Sequence, residues 1–257
     1  MPVVAVEDGA IFYQVAGHGD AVVFVSGLGG EAAFWREQLT AFAGSYRVIA
    51  YDHRGVGGST GAPPYTVAQW SDDLLAVLDH ARIERAHLVA HSTGGIIAQA
   101  VAAAHPARIL TLSLGGTWMA PDQRFRDLFV LRKNVLLQMG ENAYRLLGIM
   151  VASPGPRVSD APGLLPMLQD ARDVILGRID ALLAYDGTAN VSRIENPMLV
   201  LASRDDYIVP SYLSRAIAEA SGAQMTMFED GGHFFPQTRA SDYNRTLSEF
   251  WKKVGMR

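Results

Sequence analysis

A serine between a largely apolar run and a stretch of small residues is the feature of this sequence that most directly suggests chemistry. The run reads Ala90-His91-Ser92-Thr93-Gly94. Sharp strand-to-helix turns that present a nucleophilic serine have the pattern G-x-S-x-G, because the positions two before and two after the serine crowd each other. Ala90 adds one methyl group to that pattern. We predict that Ser92 is a nucleophile at the carboxyl edge of a sheet; an ordinary loop with a capping serine is the alternative.

A serine nucleophile needs a base, and His233 has a suitable setting. A serine hydroxyl is a poor nucleophile at neutral pH unless a nearby base accepts its proton and a third group orients that base. His233 follows two glycines after a predicted strand and lies downstream of Ser92. The other six histidines precede the serine or follow it closely. We expect His91 to point away from the serine hydroxyl and to be structural.

Two adjacent carboxylates follow the predicted strand at 197–202. Asp205 and Asp206 stand side by side, and Pro210 marks the start of the next helix. The spacing acid-x-x-x-Pro selects Asp206 as the group that orients the histidine, and Asp205 remains the alternative. The choice gives the chain order serine, acid, histidine that accompanies this type of turn.

Acyl transfer through a serine also needs two backbone N–H groups that stabilise the developing oxyanion. We predict that one belongs to Thr93, directly after the nucleophile, and the other to Leu28 in a glycine-rich loop. Gly27 and Gly29 flank Leu28 and would let the backbone approach the substrate. The loop lacks the lysine and the glycine spacing of phosphate-binding loops. The segment 52–57 also resembles a metal or phosphate site, and we interpret it as a scaffold turn.

The order of elements favours a mostly parallel, eight-stranded sheet with helices on both faces. A hairpin at 3–15 is followed by apolar strands alternating with helical patterns, as in a sheet built from crossover units. We predict further strands at 21–25, 46–51, 86–90, 109–114, 197–202 and 224–228, and helices at 31–42, 66–81, 96–104, 211–220 and 241–254. The glycine- and proline-rich segment 55–64 is predicted to be a loop.

Residues 117–196 show helical patterns only, with a break at 153–156. We therefore predict a core domain formed by residues 1–116 and 197–257, and a helical lid inserted at 117–196. Trp118, Phe125 and Phe129 of this lid, together with Phe234 beside the predicted base, are expected to line the substrate pocket. For the lid aromatics, packing within the lid itself is the alternative.

Composition excludes several classes of function. The chain has 257 residues, a formal net charge of −4 and no cysteine, so disulfides and thiolate chemistry are absent. There is no dense basic tract for nucleic acid and no long apolar run for a membrane. We expect a cytoplasmic protein with a small-molecule substrate, no metal and no cofactor. The sequence does not decide between a monomer and a homodimer.

These motifs, in this order, resemble the α/β-hydrolase superfamily along essentially the whole chain. Within it the chain is similar to the pyrimidine-utilisation aminoacrylate/carbamate hydrolases and to the 3-oxoadipate enol-lactonases. The shared pieces are the loop from Ser26 to Gly30, Trp35, and the run from Ala202 to Pro210. The resemblance implies a serine hydrolase that acts on an ester, lactone or carbamate-like carbonyl without a cofactor.

Other functions are compatible with the same catalytic triad of Ser92, His233 and Asp206. Carbon–carbon bond hydrolases, cofactor-free haloperoxidases and hydroxynitrile lyases retain it, and so does a ligand receptor that does not catalyse. Haloalkane dehalogenases and epoxide hydrolases need a carboxylate nucleophile, which position 92 does not supply.

Overall fold

The computed structural model describes residues 2–63, 65–152 and 171–255. In this part of the chain nine strands form one sheet with the order β1-β2-β4-β3-β6-β7-β8-β9, and β5 pairs with β2. The strands are β1 Val3–Val6, β2 Gly9–Ala16, β3 Ala21–Val25, β4 Arg47–Tyr51, β5 Thr60–Gly61, β6 Ala86–His91, β7 Ile109–Gly115, β8 Met198–Ser203 and β9 Gln224–Phe228.

The sheet is parallel from β4 to β9 and antiparallel where β2 pairs with its neighbours. The prediction of a mostly parallel sheet is confirmed, and eight strands follow one another across it. The ninth strand, β5, lies in the segment that we predicted as loop. Gly61 there has a φ of +146°, a conformation that favours glycine, and its backbone pairs with Gly9.

Helices cover both faces of the sheet. Short 3₁₀ helices occur at Ala32–Trp35 and Pro106–Arg108. The α-helices are α1 Arg36–Phe42, α2 Val67–His80, α3 Thr93–Ala104, α4 Gln123–Met139, α5 Glu141–Ala152, α6 Ala171–Ala184, α7 Thr188–Val191, α8 Ser211–Ser221, α9 Phe235–Thr238 and α10 Ala240–Lys253.

Alternate side chains of each buried strand enter different halves of the core. In β3, Val23 and Val25 pack in the cluster that includes residues of α2, α3 and α8. Val22 and Phe24 pack on the other face, with residues of α1 and α10. All four side chains are buried, as expected for a strand covered by helices on both faces.

Between β7 and β8, every element in the described part of the chain is a helix, α4 to α7. We call these residues, 117–152 and 171–196, the helical insertion. They have their own apolar cluster, which also receives residues of α3 and α8. The predicted break at 153–156 lies outside the described residues, and the domain boundaries at 116/117 and 196/197 stay predictions.

One buried ion pair ties the turn after β4 to helix α2. Arg54 donates two hydrogen bonds to Asp73, at 3.0 and 2.6 Å, and a third to the carbonyl oxygen of Glu7 at 2.6 Å. Both paired side chains are only 2% exposed. Removing one partner of such a pair leaves an uncompensated charge in the core.

We expect Asp73→Ala to lower the free energy of unfolding by about 3–5 kcal/mol, because the Arg54 guanidinium stays buried without its carboxylate. Urea denaturation of the variant and the parent protein measures this difference. The matched control is Asp79→Ala, which breaks the exposed pair of Asp79 with Arg108 and should cost less than about 1 kcal/mol. Equal losses of unfolding free energy in the two variants would contradict the larger contribution predicted for the buried pair.

Candidate active site

Ser92 forms the sharp turn between β6 and α3. Its backbone has φ 54° and ψ −123°, a strained conformation for a residue with a side chain. Strain of this kind costs about 1–3 kcal/mol and persists only where the surroundings fix it. Three hydrogen bonds do so: the Ser92 N–H donates to the carbonyl of Gly115 at 2.9 Å, and its carbonyl accepts from the Gly95 N–H and from Thr117 Oγ1, each at 2.8 Å.

Two glycines after the serine allow this turn to pack. A Cβ at Gly94 would lie 2.2 Å from the carbonyl oxygen of Val25, and one at Gly95 would lie 2.4 Å from Thr117 Oγ1. Helix α3 begins at Thr93, three residues earlier than the helix predicted at 96–104, so both glycines lie inside it. These positions need glycine because the end of β3 packs against Gly94 and Thr117 packs against Gly95.

The structure brings Ser92, His233 and Asp206 together at the carboxyl edge of the sheet. His233 Nε2 is 3.1 Å from Ser92 Oγ, and His233 Nδ1 is 2.8 Å from Asp206 Oδ2. All three side chains are buried. Both distances are within hydrogen-bond reach, so a proton can pass from the serine to the imidazole while the carboxylate fixes the orientation of the ring.

Asp205 and Asp206 have different partners. The other oxygen of Asp206 accepts hydrogen bonds from the backbone N–H groups of Ile208 and Val209, at 2.9 and 2.8 Å. These bonds hold its carboxylate in place beside the histidine. Asp205 instead accepts from Ser203 Oγ at 2.6 Å and from the Gly232 N–H at 2.8 Å. Its hydrogen bonds therefore fix the loop that carries His233 and do not go to the ring.

The glycine-rich loop after β3 passes directly over the serine. A Cβ at Gly27 would lie 3.0 Å from Ser92 Cβ and 3.5 Å from Ser92 Oγ. The Gly30 N–H donates to the Gly27 carbonyl at 3.0 Å and closes a turn around Leu28. Thr93 is the first residue of α3, and N–H groups at that position have no acceptor within their own helix. The two predicted oxyanion donors thus belong to segments that border Ser92 Oγ.

The predicted pocket residues have different environments. Trp118, Phe125 and Phe129 are buried and pack against one another with tilted rings, whose centroids are 4.4 and 4.5 Å apart. They lie in the core of the helical insertion, which is the alternative that the sequence left open, and their contact with a substrate stays a prediction. Phe234 is half-buried beside His233, and Gly29 is exposed with nothing within 4 Å of an added Cβ.

His91 packs behind His233. Its ring stacks on Phe34 and lies 4.7 Å from the ring of His233, centroid to centroid. Burial, with a further contribution from His233, lowers the pKa of His91 well below its usual value, so the ring is neutral. Gly116 lies between His91 and Asp206: a Cβ at this position would lie 3.1 Å from His91 Cε1 and 3.3 Å from Asp206 Oδ2.

Residues 52–57 form a scaffold turn, as we interpreted them. Asp52 accepts hydrogen bonds from the N–H groups of Ala32 and Gly58, at 2.7 and 2.9 Å. The Arg54 side chain is committed to its ion pair with Asp73. The Asp52 carboxylate and the Arg54 guanidinium thus bind other groups of the protein, as expected for a scaffold turn.

One charged residue beside the site was not among those predicted from the sequence. Arg178 of α6 is fully buried, and its Nε donates to the carbonyl oxygen of Leu28 at 2.9 Å. The periodicity of the helix could have indicated that Arg178 is buried. The i, i+3, i+4, i+7 spacing of one helix face is present at Ile175, Arg178, Ile179 and Leu182, so the arginine belongs to the apolar stripe.

A profile of the alpha/beta hydrolase family matches residues 22–246. The chain belongs to this family. Its sheet order, the sharp turn at Ser92 and the chain order of the three clustered side chains agree with that membership. This α/β hydrolase has no helix, in the part that the structure describes, that is both long and apolar enough to cross a membrane.

Three proteins that match at least 93% of this α/β hydrolase are named as hydrolases or lactonases. A protein of Azorhizobium caulinodans that carries the name carbamate hydrolase RutD is 33% identical, with 99% of each chain covered. One of Caulobacter segnis with the same name is 35% identical, with 93% of each covered. The enol-lactonase from Burkholderia xenovorans LB400 has 25% identity and a TM-score of 0.88, covering 98% of this chain and 100% of its own. The chain is accordingly a hydrolase.

We expect Gly94→Ala to destabilise the protein by about 1–3 kcal/mol or more, because the new methyl group collides with backbone at the end of β3. Denaturant unfolding measures the loss. The matched control is Gly29→Ala in the loop over the serine, which has open space around an added Cβ and should stay within about 0.5 kcal/mol of the parent. A Gly94→Ala protein as stable as the parent would show that the turn is not sterically constrained.

Proposed function

We propose that this α/β hydrolase cleaves a small carbonyl substrate through an acyl-enzyme on Ser92. The observation that carries the proposal is the unbroken hydrogen-bond series from Ser92 Oγ to His233 to Asp206, at 3.1 and 2.8 Å. A serine with this pair of partners is equipped to attack a carbonyl carbon.

In the proposed reaction, Ser92 Oγ attacks the carbonyl carbon while His233 Nε2 accepts the hydroxyl proton. Asp206 stabilises the imidazolium and keeps Nε2 directed at the serine. The N–H groups of Leu28 and Thr93 stabilise the oxyanion. His233 then returns the proton to the leaving group, and a water molecule, deprotonated by the same ring, hydrolyses the acyl-enzyme and regenerates Ser92.

The substrate class follows from the chemistry of the site and from the relatives. We propose an ester, a lactone or enol-lactone, or a carbamate- or aminoacrylate-like compound, since similar proteins are named for a carbamate and an enol-lactone. The helical insertion, which runs from β7 to β8 over the carboxyl edge, acts in this proposal as a lid that excludes water.

We expect a fluorophosphonate probe to label the parent protein and to leave Ser92→Ala unlabelled, as shown by intact-protein mass spectrometry. Hydrolysis of short-chain p-nitrophenyl esters, small lactones and enol-lactones should disappear in the same variant. Activity that survives in Ser92→Ala would remove the nucleophile from the proposal. A folded parent protein that neither labels nor hydrolyses would favour a non-catalytic ligand receptor.

The neighbouring carboxylates offer a matched pair of variants. Asp206→Asn should lower kcat by about 10⁴-fold, because the amide no longer enforces the tautomer that accepts the serine proton. Asp205→Asn keeps an oxygen that can accept from the loop and leaves the ring untouched, so its loss should be at least a hundredfold smaller. Steady-state kinetics on the best substrate of the screen compares the two. Equal losses would contradict the assignment of Asp206 as the orienting acid.

A further inference from the structure

Arg178 is a charged side chain buried at the contact between the helical insertion and the loop over the serine. It lies on α6, is 0% exposed, and contacts no carboxylate among the described residues. Burial lowers its pKa to about 10, which leaves the guanidinium charged at neutral pH. Burying a charge is costly unless polar groups compensate it, so the groups that receive its hydrogen bonds are informative.

Those groups are chiefly backbone carbonyls of the glycine-rich loop. Arg178 Nε donates to the carbonyl oxygen of Leu28 at 2.9 Å, and Nη2 lies 3.3 Å from that of Gly27. Nη2 also lies 2.8 Å from His53 Nδ1, and the guanidinium stacks 4.9 Å above the ring of Trp70. Because a guanidinium only donates, His53 Nδ1 must accept, and the histidine is neutral. Its pKa is lowered well below the usual value by burial and by Arg178.

The peptide unit between Gly27 and Leu28 connects this cation to the oxyanion. In a planar trans peptide the C=O and the N–H point in opposite directions. A donor fixed on the Gly27 carbonyl therefore turns the Leu28 N–H to the other side of the loop and polarises it. A second hydrogen bond on the Leu28 carbonyl restrains the next peptide unit, so rotation of the loop would break both contacts.

We infer that Arg178 is a positioning residue, which holds the loop of Gly27 and Leu28 so that the Leu28 N–H faces the oxyanion formed at Ser92. The inference rests on the proposed function. It also makes the oxyanion site depend on the helical insertion, since the guanidinium comes from α6 and its carbonyl acceptors lie 150 and 151 positions earlier in the chain. Separation of α6 from the loop would release one of the two oxyanion donors.

The test compares Arg178→Met and Arg178→Lys with a matched control, Arg132→Met. Arg132 is the other buried cation of the insertion. It stacks on Phe129 and Tyr144, donates to the Tyr144 hydroxyl, and has no hydrogen bond to the loop. All variants are checked by circular dichroism and thermal unfolding, then measured for kcat, KM and affinity for a boronic acid, which forms a tetrahedral adduct with the serine.

Arg178→Met should lower kcat by about 10- to 100-fold with KM within threefold, because a displaced donor weakens transition-state binding only. Its affinity for the boronic acid should fall in proportion to kcat/KM. Arg178→Lys, which keeps the charge and one donor, should recover part of the loss, and Arg132→Met should keep kcat within about threefold. If Arg178→Met does not fold, the lysine variant decides: at least a threefold fall in kcat with unchanged KM supports the inference.

Three results would overturn the positioning role. They are an unchanged kcat, a loss no larger than that of Arg132→Met, and a rise in KM with kcat preserved, which would make Arg178 a substrate-binding residue. A parent protein that neither hydrolyses any substrate nor labels with the probe would instead refute the proposed function. If the parent protein is active and the Arg178 variants keep its kcat, only this inference is refuted.

Discussion

Ser92 is held with a positive φ, and the residues around it are those that such a turn permits. Its backbone N–H and carbonyl both form hydrogen bonds. Gly94 and Gly95 leave room for the end of β3 and the side chain of Thr117, and helix α3 starts at the next residue. The strain is affordable because β6 is a central, fully buried strand with parallel neighbours on both sides. A flexible loop would relax and turn the hydroxyl away.

The order of strands explains how distant residues meet. Ser92 follows β6, Asp206 follows β8 and His233 follows β9, while the loop of Leu28 follows β3. In the sheet these strands are neighbours in the order β3-β6-β7-β8-β9, so their carboxyl ends share one edge. The insertion contacts the same edge: Arg178 contacts the loop of Leu28, and the carbonyl of Ala152 accepts from the backbone N–H of His233 at 2.9 Å. The sheet thus brings the ends of these strands together, and the insertion adds contacts at that edge.

Local patterns in the sequence predicted the strands and the cluster of three side chains, because apolar runs and glycine-containing turns have direct steric causes. The strands at 21–25 and 224–228, for example, begin and end where predicted. The start of α3 was wrong by three residues, since Gly94 and Gly95 look like turn residues until the backbone packed against them is known. Arg178 was missed for a similar reason: a lone arginine in an apolar stripe normally extends to solvent, and its carbonyl partners are 150 and 151 positions away.

The most direct test is a crystal structure of the protein after reaction with a small phosphonate. We expect phosphorus bonded to Ser92 Oγ, and one phosphonyl oxygen about 2.7–3.1 Å from the backbone nitrogens of both Leu28 and Thr93, the range for oxyanion donors. A phosphonyl oxygen directed away from both nitrogens, or an adduct on another residue, would contradict the account of the site.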